Sequence, residues 1–301
     1  MVKAKIGNVR NFTDEACSPT NKPIRTAKTR MAFRFKISLF KNRNICITFV
    51  KKFLVNIDIR FEIMAERKGK LYLLPTPISD DSIDLVIPQK VIDKSRTLTH
   101  FVVEEFRTAR RYLSKIKVET PIDELTFFLL NEHTPQHEIE NFLKPLKNGI
   151  DVGLMSEAGL PAVADPGSLL VEAAHRNNIE VVPMVGPNSL LLTLMASGLN
   201  GQNFAFIGYL PVKPDLRKKK IRELEQKSRL EFQTQLFIEA PYRNAKLFND
   251  ILNVCHDQTR LTIACELTSS NQFIKTKTIK EWKKEPLPEI NKRNTVFAIL
   301  F

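Results

Sequence analysis

The pattern of hydrophobic and polar positions changes character near residue 64. Before it, the stretch KNRNICITFVKKFLVNIDIRFEI mixes Lys, Asn, Ile and Phe, and neither helical nor strand periodicity is sustained. From Lys70 onward, apolar runs of strand length alternate with longer runs of helical spacing. KLYLLPT reads as a buried strand, LTHFVVE (residues 98 to 104) as a second, EFRTARRYLSKI as a helix and NFLKPLKNG as a helix tail stopped by Gly149. GIDVGLM is the next strand and IEVVPMV the one after. Between them DPGSLLVEAAHRNN predicts a helix with Asp165 as N-cap and Pro166 at the first helical position. Strands alternating with helices predict an α/β layer whose strands run mostly parallel.

Gly186 and Pro187 then break the chain before an apolar helix that ends at Gly198. A strand (FAFIGYL), a charged helix from Asp215 to about Arg229, a strand (QLFIEA) and a helix around NAKLFNDILNVC follow. The strand-like runs RLTIACEL, NQFIKTKTI and TVFAILF complete the chain. This half is richer in strands and predicts a mixed sheet. The expected organisation is therefore an extension over residues 1–63, an N-terminal α/β domain over 64–185 and a C-terminal α/β domain over 186–301, with a site at their junction.

Charge sharpens the first boundary. The formal net charge is +13, with 46 Lys+Arg against 33 Asp+Glu, but residues 1–63 alone hold 14 of the bases and 4 of the acids. The folded remainder is thus close to neutral, and the whole-chain charge is a weak argument for nucleic acid. For the extension three readings stand: a basic RNA-binding arm, an organelle transit peptide, or sequence translated from upstream of the natural start. The third is preferred, because MAERKGKLYLL from Met64 gives a short polar lead into the first strand. It predicts that residues 1–63 are disordered or absent from the native product.

The four cysteines (Cys17, Cys46, Cys255, Cys265) form no C-x-x-C pair, which disfavours a disulfide framework or a zinc site and suits a reducing cytoplasm. No apolar run approaches the ~20 residues of a membrane span. A hydrophobic share of 43% supports a substantial core.

Candidate chemistry concentrates in the middle of the chain. No G-x-G, P-loop, H-E-x-x-H or G-x-S-x-G occurs, yet eight of the ten glycines fall between Gly149 and Gly208. SEAGLPAVADPG (residues 156 to 167) joins a strand to a helix with twelve residues, where about 2 to 6 suffice. Two glycines and two prolines suit either a long structural turn or a backbone built to approach a ligand.

LYLLPTPIS, VEEFRTARRYLS, NEH, SEAGLPAVADPG, VVPMVGPNSLL, ASGL, FIGYLP, IEAPYR and ACELT stand in the order and approximate spacing of the tetrapyrrole methylase-like (class III) S-adenosylmethionine-dependent methyltransferases. Over residues 70–301 the chain most resembles the branch that methylates a cytidine 2′-hydroxyl in 16S rRNA. The resemblance implies two α/β domains with the cofactor cleft between them, S-adenosylmethionine as methyl donor, 16S rRNA or the small ribosomal subunit as partner, a cytoplasmic homodimer, and no metal or membrane.

Carried over position by position, the resemblance implies cofactor contacts from Pro75, Thr76 and Pro77, from Ser156, Glu157, Ala158, Gly159 and Pro161, from Gly186, Pro187, Asn188 and Ser189, and from Pro241 and Tyr242. Glu105, Arg107 and His133 are the candidates for orienting or deprotonating the acceptor. A helix N-terminus carrying acids accounts equally well for Glu105. The chain departs from the family pattern at Glu157, Leu160, Tyr242, Cys265 and Ser269. The last two replace cations, so a methylase acting on a tetrapyrrole or another small molecule, and a noncatalytic binding protein of this fold, stand beside the rRNA reading. The basic helix PDLRKKKIRELEQKSR reads either as a phosphate contact or as a solvated face.

Overall fold

Short strands that are apolar on both sides have to be covered on both faces. The computed structural model, which describes residues 67–79 and 83–301, builds the first sheet in this way. The expectations for residues 1–63 lie outside the described residues. Strands β1 (Leu71–Leu73), β2 (His100–Val103), β3 (Thr126–Leu129), β4 (Val152–Met155) and β5 (Val181–Pro183) lie in the order β3-β2-β4-β1-β5. All their pairings are parallel.

The helices of this half are α1 (Ile83–Val86), α2 (Gln89–Thr97), α3 (Phe106–Lys115), α4 (Gln136–Phe142), α5 (Lys144–Lys147) and α6 (Gly167–Arg176). Neighbouring strand residues point to opposite faces, so each strand feeds two cores. Val102 and Leu154 pack with Leu146 of α5 and Leu170 of α6. Phe101, Val103 and Met155 pack on the other side with Val91 and Ile92 of α2 and Leu113 of α3.

The second sheet contains β6 (Phe204–Tyr209), β7 (Thr234–Ile238), β8 (Arg260–Cys265), β9 (Phe273–Thr278) and β10 (Thr295–Leu300), in the order β6-β7-β10-β8-β9. Only β6 and β7 pair in parallel; β10 and β9 run antiparallel to their neighbours. Its helices are α7 (Ser189–Ser197), α8 (Pro214–Glu231), α9 (Asn244–Val254) and α10 (Ile279–Trp282). Phe237, Ile263 and Phe297 meet Ile221 and Leu224 of α8, Phe248 of α9 and Trp282 of α10. The opposite face is thinner, with Leu236, Val296 and Ala298 under Leu194 of α7. A buried ion pair, Arg217 Nη2 to Asp250 Oδ2 at 2.6 Å, ties α8 to α9.

The α/β class, the parallel first sheet and the mixed second sheet follow the alternation in the sequence. Four elements had no counterpart there: the short helices α1 and α10, α2, a mostly polar segment that buries Val91, Ile92 and Ser95, and β3, which lies inside the apolar run LTFFLL. The start of α6 is a correction. Pro166 is its N-cap and Gly167 its first residue, while Asp165 lies one position earlier. The Asp165 carboxylate still accepts the Gly167 amide at 2.7 Å, and it also accepts the Ala162 amide at 2.9 Å. The loop folds back here because Ala162 and Ala164 both take positive φ, 65° and 64°.

Candidate functional site

The C-terminal ends of β1, β2 and β4 open onto the same cleft as those of β6, β7 and β8. This is the edge on which open α/β sheets carry their ligands. The cleft encloses about 640 Å3, a volume within the usual small-molecule range. Pro77, Glu104, Ser156–Gly159, Asp165, Asn188 and Ser189 line it from the first half and the connector. Tyr209, Ile238, Glu239, Pro241, Glu266, Asn294 and Thr295 line it from the second.

Three loops lock together along the first wall. Thr76 and Gly159 exchange both backbone hydrogen bonds, Thr76 N to Gly159 O at 2.9 Å and Gly159 N to Thr76 O at 3.1 Å. The Thr76 hydroxyl donates to the Ser156 carbonyl at 3.4 Å. Gly186 lies so close to Pro75 that a Cβ added to it would sit 2.1 Å from the proline Cβ. The glycines of SEAGLPAVADPG thus serve loop packing, and Gly159 also lines the cleft. Gly159 takes φ +81° against Thr76, and Gly167 fits under Asp165 and Leu154.

Of the positions implied to bind cofactor, Pro77, Ser156, Glu157, Ala158, Gly159, Asn188, Ser189 and Pro241 line the cleft. Thr76 opens instead onto a smaller lobe of about 40 Å3 beside it, shared with Pro77, Ser156 and Glu157. Pro75, Pro161, Gly186 and Pro187 are outside the lining; Pro75 and Gly186 act as the packing contact just described. Tyr242 is also outside it, 63% exposed, with its hydroxyl accepting from Arg243 Nη1 at 2.9 Å.

The three candidates for acceptor chemistry are not brought together. Glu105 is the N-cap of α3: its carboxylate accepts the Thr108 amide at 2.7 Å. The amides of Arg107 and Thr108 hold that carboxyl below the usual glutamate range. Arg107 is exposed on α3 and does not line the cleft. His133 is a surface side chain, 83% exposed, 3.6 Å from its neighbour Glu132. It follows β3 at the outer edge of the sheet, which is why no cleft wall includes it.

The carboxylate presented to the cleft is the preceding one, Glu104, whose Oε2 accepts the Glu157 amide at 3.0 Å. Asp165 faces the same space. Burial pushes its carboxyl above the usual aspartate range; the amides of Gly167 and Ala162 oppose this, and the charge of Glu104 adds to it. With Glu157, Glu239 and Glu266 the lining carries five acids among the described residues, against Arg111 as cation. Glu239 is neutralised within the fold by Arg243, whose Nε and Nη2 donate to Oε1 at 2.9 and 2.6 Å. Asp165 was read from sequence as a helix cap, and the side-chain roles of Glu104, Glu239 and Glu266 were not separated from their strand-end neighbours. The positive φ of Ala164 and of Glu266 (49°), which turns these loops into the cleft, leaves no signal in a non-glycine sequence.

Among the described residues, no helix is long and apolar enough to cross a membrane, and no group of His, Cys, Asp and Glu is arranged to hold a metal ion. Comparison with known proteins adds an independent line. No protein-family model matches the chain. It is 33% identical over 227 residues to a ribosomal RNA small subunit methyltransferase I of Thermotoga maritima, covering 74% of this chain and 96% of that protein. The proteins of the same name from Vibrio cholerae and Xylella fastidiosa are 32% identical over 204 residues and 30% over 232. These alignments cover 68% and 77% of this chain, and 67% and 81% of the relatives. Among solved structures the methyltransferase CobJ superposes with a TM-score of 0.53 at 16% identity, over 77% of this chain and 94% of that one, a likeness of fold.

Proposed function

The chain belongs to the ribosomal RNA small subunit methyltransferase I family, and from that premise we propose that it methylates the 2′-hydroxyl of a cytidine ribose in 16S rRNA, with S-adenosylmethionine as donor. The single observation that carries the site assignment is the acidic cleft between the two sheets. The donor bears a sulfonium and an ammonium, so a lining that presents Glu104, Glu157, Asp165 and Glu266 besides the Arg243-paired Glu239 complements it. When bound it supplies an activated methyl group whose leaving thioether is neutral.

Ser156–Gly159, Pro77, Asn188 and Ser189 hold the donor on one side, and Ile238, Pro241 and Thr295 close the other. Their contribution is to fix acceptor and donor in line, which replaces an entropic barrier by prior ordering. The ribose hydroxyl is a weak acid, and Glu104 is the group we assign to take its proton. Asp165 faces the same space as a neighbouring carboxyl. Glu105 and Arg107 organise the start of α3, and His133 has no part in the step. The family resemblance further implies a cytoplasmic homodimer, checked by sedimentation.

Isothermal titration with S-adenosylmethionine tests the reading. A one-site heat is expected in folded wild-type protein, and absence of binding overturns the assignment.

A further inference from the structure

The acidic cleft suits a cationic donor and repels phosphate, so on the proposed reading the RNA needs its own docking surface. We propose that this surface is the aromatic and basic face beside the cleft mouth, formed by Tyr209, Tyr242 and the first half of α8, and that it binds an unpaired stretch of the acceptor RNA. The inference rests on the rRNA reading above and names the contact surface for it.

Pairing of Tyr209 with Ile238, after a register shift between Phe206 and Tyr209, brings the ends of β6 and β7 side by side at the cleft. Tyr209, which ends β6, and Tyr242, which follows β7, are each 63% exposed. Exposed aromatic rings usually cost order unless something fixes them. Here Arg243 donates to the Tyr242 hydroxyl at 2.9 Å and lies 5.1 Å from the ring centroid. Arg243 is itself fixed by Glu239, whose side chain is fully buried. The Arg243 guanidinium is also within electrostatic reach of Tyr209. The result is a fixed ring, Tyr242, and a second exposed ring, Tyr209, offered to solvent, surfaces on which unstacked bases pack.

The second observation is the charge order along α8. Residues 213–222 hold six Lys and Arg with one acid, Asp215, whereas residues 223–231 hold two bases and three acids. Cations crowded at a helix N-terminus oppose the macrodipole, so this order carries a cost in stability. One of the six, Arg217, is consumed by its buried pair with Asp250, which fixes the helix in place. Among the described residues, Lys213, Lys219 and Arg222 are exposed and have no ion-pair partner. Phosphates along the RNA backbone supply the missing countercharge.

The test uses in vitro transcribed 16S rRNA and small subunits lacking the methyl group, with S-adenosylhomocysteine present. Tyr242→Ala is expected to weaken RNA binding by about 5- to 150-fold, the range for loss of one base stack, and Tyr242→Phe to retain it. Lys219→Gln with Arg222→Gln, both on an exposed helix surface, keeps the test valid if Tyr242→Ala does not fold. This double variant lowers the slope of log K against log salt by about 0.7 per contact on a single strand. Its S-adenosylhomocysteine affinity stays at the wild-type value. Unchanged RNA affinity in these variants, with wild-type protein still methylating 16S rRNA, overturns this inference alone; failure of the wild type to methylate it overturns the acceptor reading. A variant that sediments as a monomer where the wild type is a dimer, and loses RNA binding with it, assigns the face to a second copy and also overturns the proposal.

Discussion

The two halves of the molecule meet one cleft with opposite constructions. The parallel first half presents Glu104, Glu157 and Asp165 without a described basic partner, on loops pinned by the Thr76–Gly159 bridge and the Gly186–Pro75 contact. The mixed second half pairs Glu239 with Arg243 and exposes Lys213, Lys219 and Arg222 at the start of α8 without a described acidic partner. The difference teaches that charge in this protein is sorted by task. Acid without a described basic partner faces the cleft proposed for a cationic donor, and base without a described acidic partner faces solvent, where the proposal places a polyanion.

The comparison breaks first at Glu104. Glu104→Gln is expected to lower kcat by about 10²- to 10⁴-fold, the range for loss of a general base, with little change in donor affinity. Single-turnover transfer from labelled S-adenosylmethionine reads it. A rate equal to wild type would move the proton acceptor to Asp165 or to water.

Two glycines, one at the cleft wall and one away from it, give the next contrast. Gly186→Ala drives a Cβ to 2.1 Å from the Pro75 Cβ, whereas nothing lies within 4 Å of a Cβ on Gly201. Overpacking of this kind costs about 1–3 kcal/mol, and each kcal/mol lowers Tm by about 2–4 °C in a domain of this size. Calorimetric scans should therefore show a lower Tm and weaker donor binding for Gly186→Ala, and no change for Gly201→Ala.

The smallest effect separates Glu105 from Glu104. Glu105→Gln removes part of a helix cap, a loss of about 1 kcal/mol, without the rate effect. Its folded carboxyl lies below its unfolded value, so the cap contributes fully above the unfolded pKa and is lost as pH falls through the folded one. Urea titrations of Glu105→Gln should differ from wild type near neutrality and converge with it in acid. An equal difference at both pH values would contradict the capping role.

Much of the architecture was legible because apolar strands and amphipathic helices have different periods. β1, β2, β4, β6 to β10 and the helices α3, α6, α7, α8 and α9 each carry that signature. Segment α2 did not, because its burial depends on three residues within a polar run. The site was legible as loops and not as side chains. SEAGLPAVADPG announced a special turn through its glycines and prolines, whereas the carboxylates of Glu104 and Asp165 that line the cleft beside it carried no such signal. Two adjacent glutamates at a strand end cannot be told apart by pattern; the backbone rotation at the start of α3 sends Glu105 to the cap and Glu104 to the cleft.

The central claim is that this cleft transfers a methyl group to a ribose of small-subunit RNA. Mapping 2′-O-methylation across 16S rRNA in a strain deleted for the gene, before and after complementation with wild type and Glu104→Gln, tests it most directly. The account predicts one cytidine that loses its 2′-O-methyl on deletion, regains it with the wild type and not with Glu104→Gln. An unchanged methylation pattern in the deletion strain would contradict it.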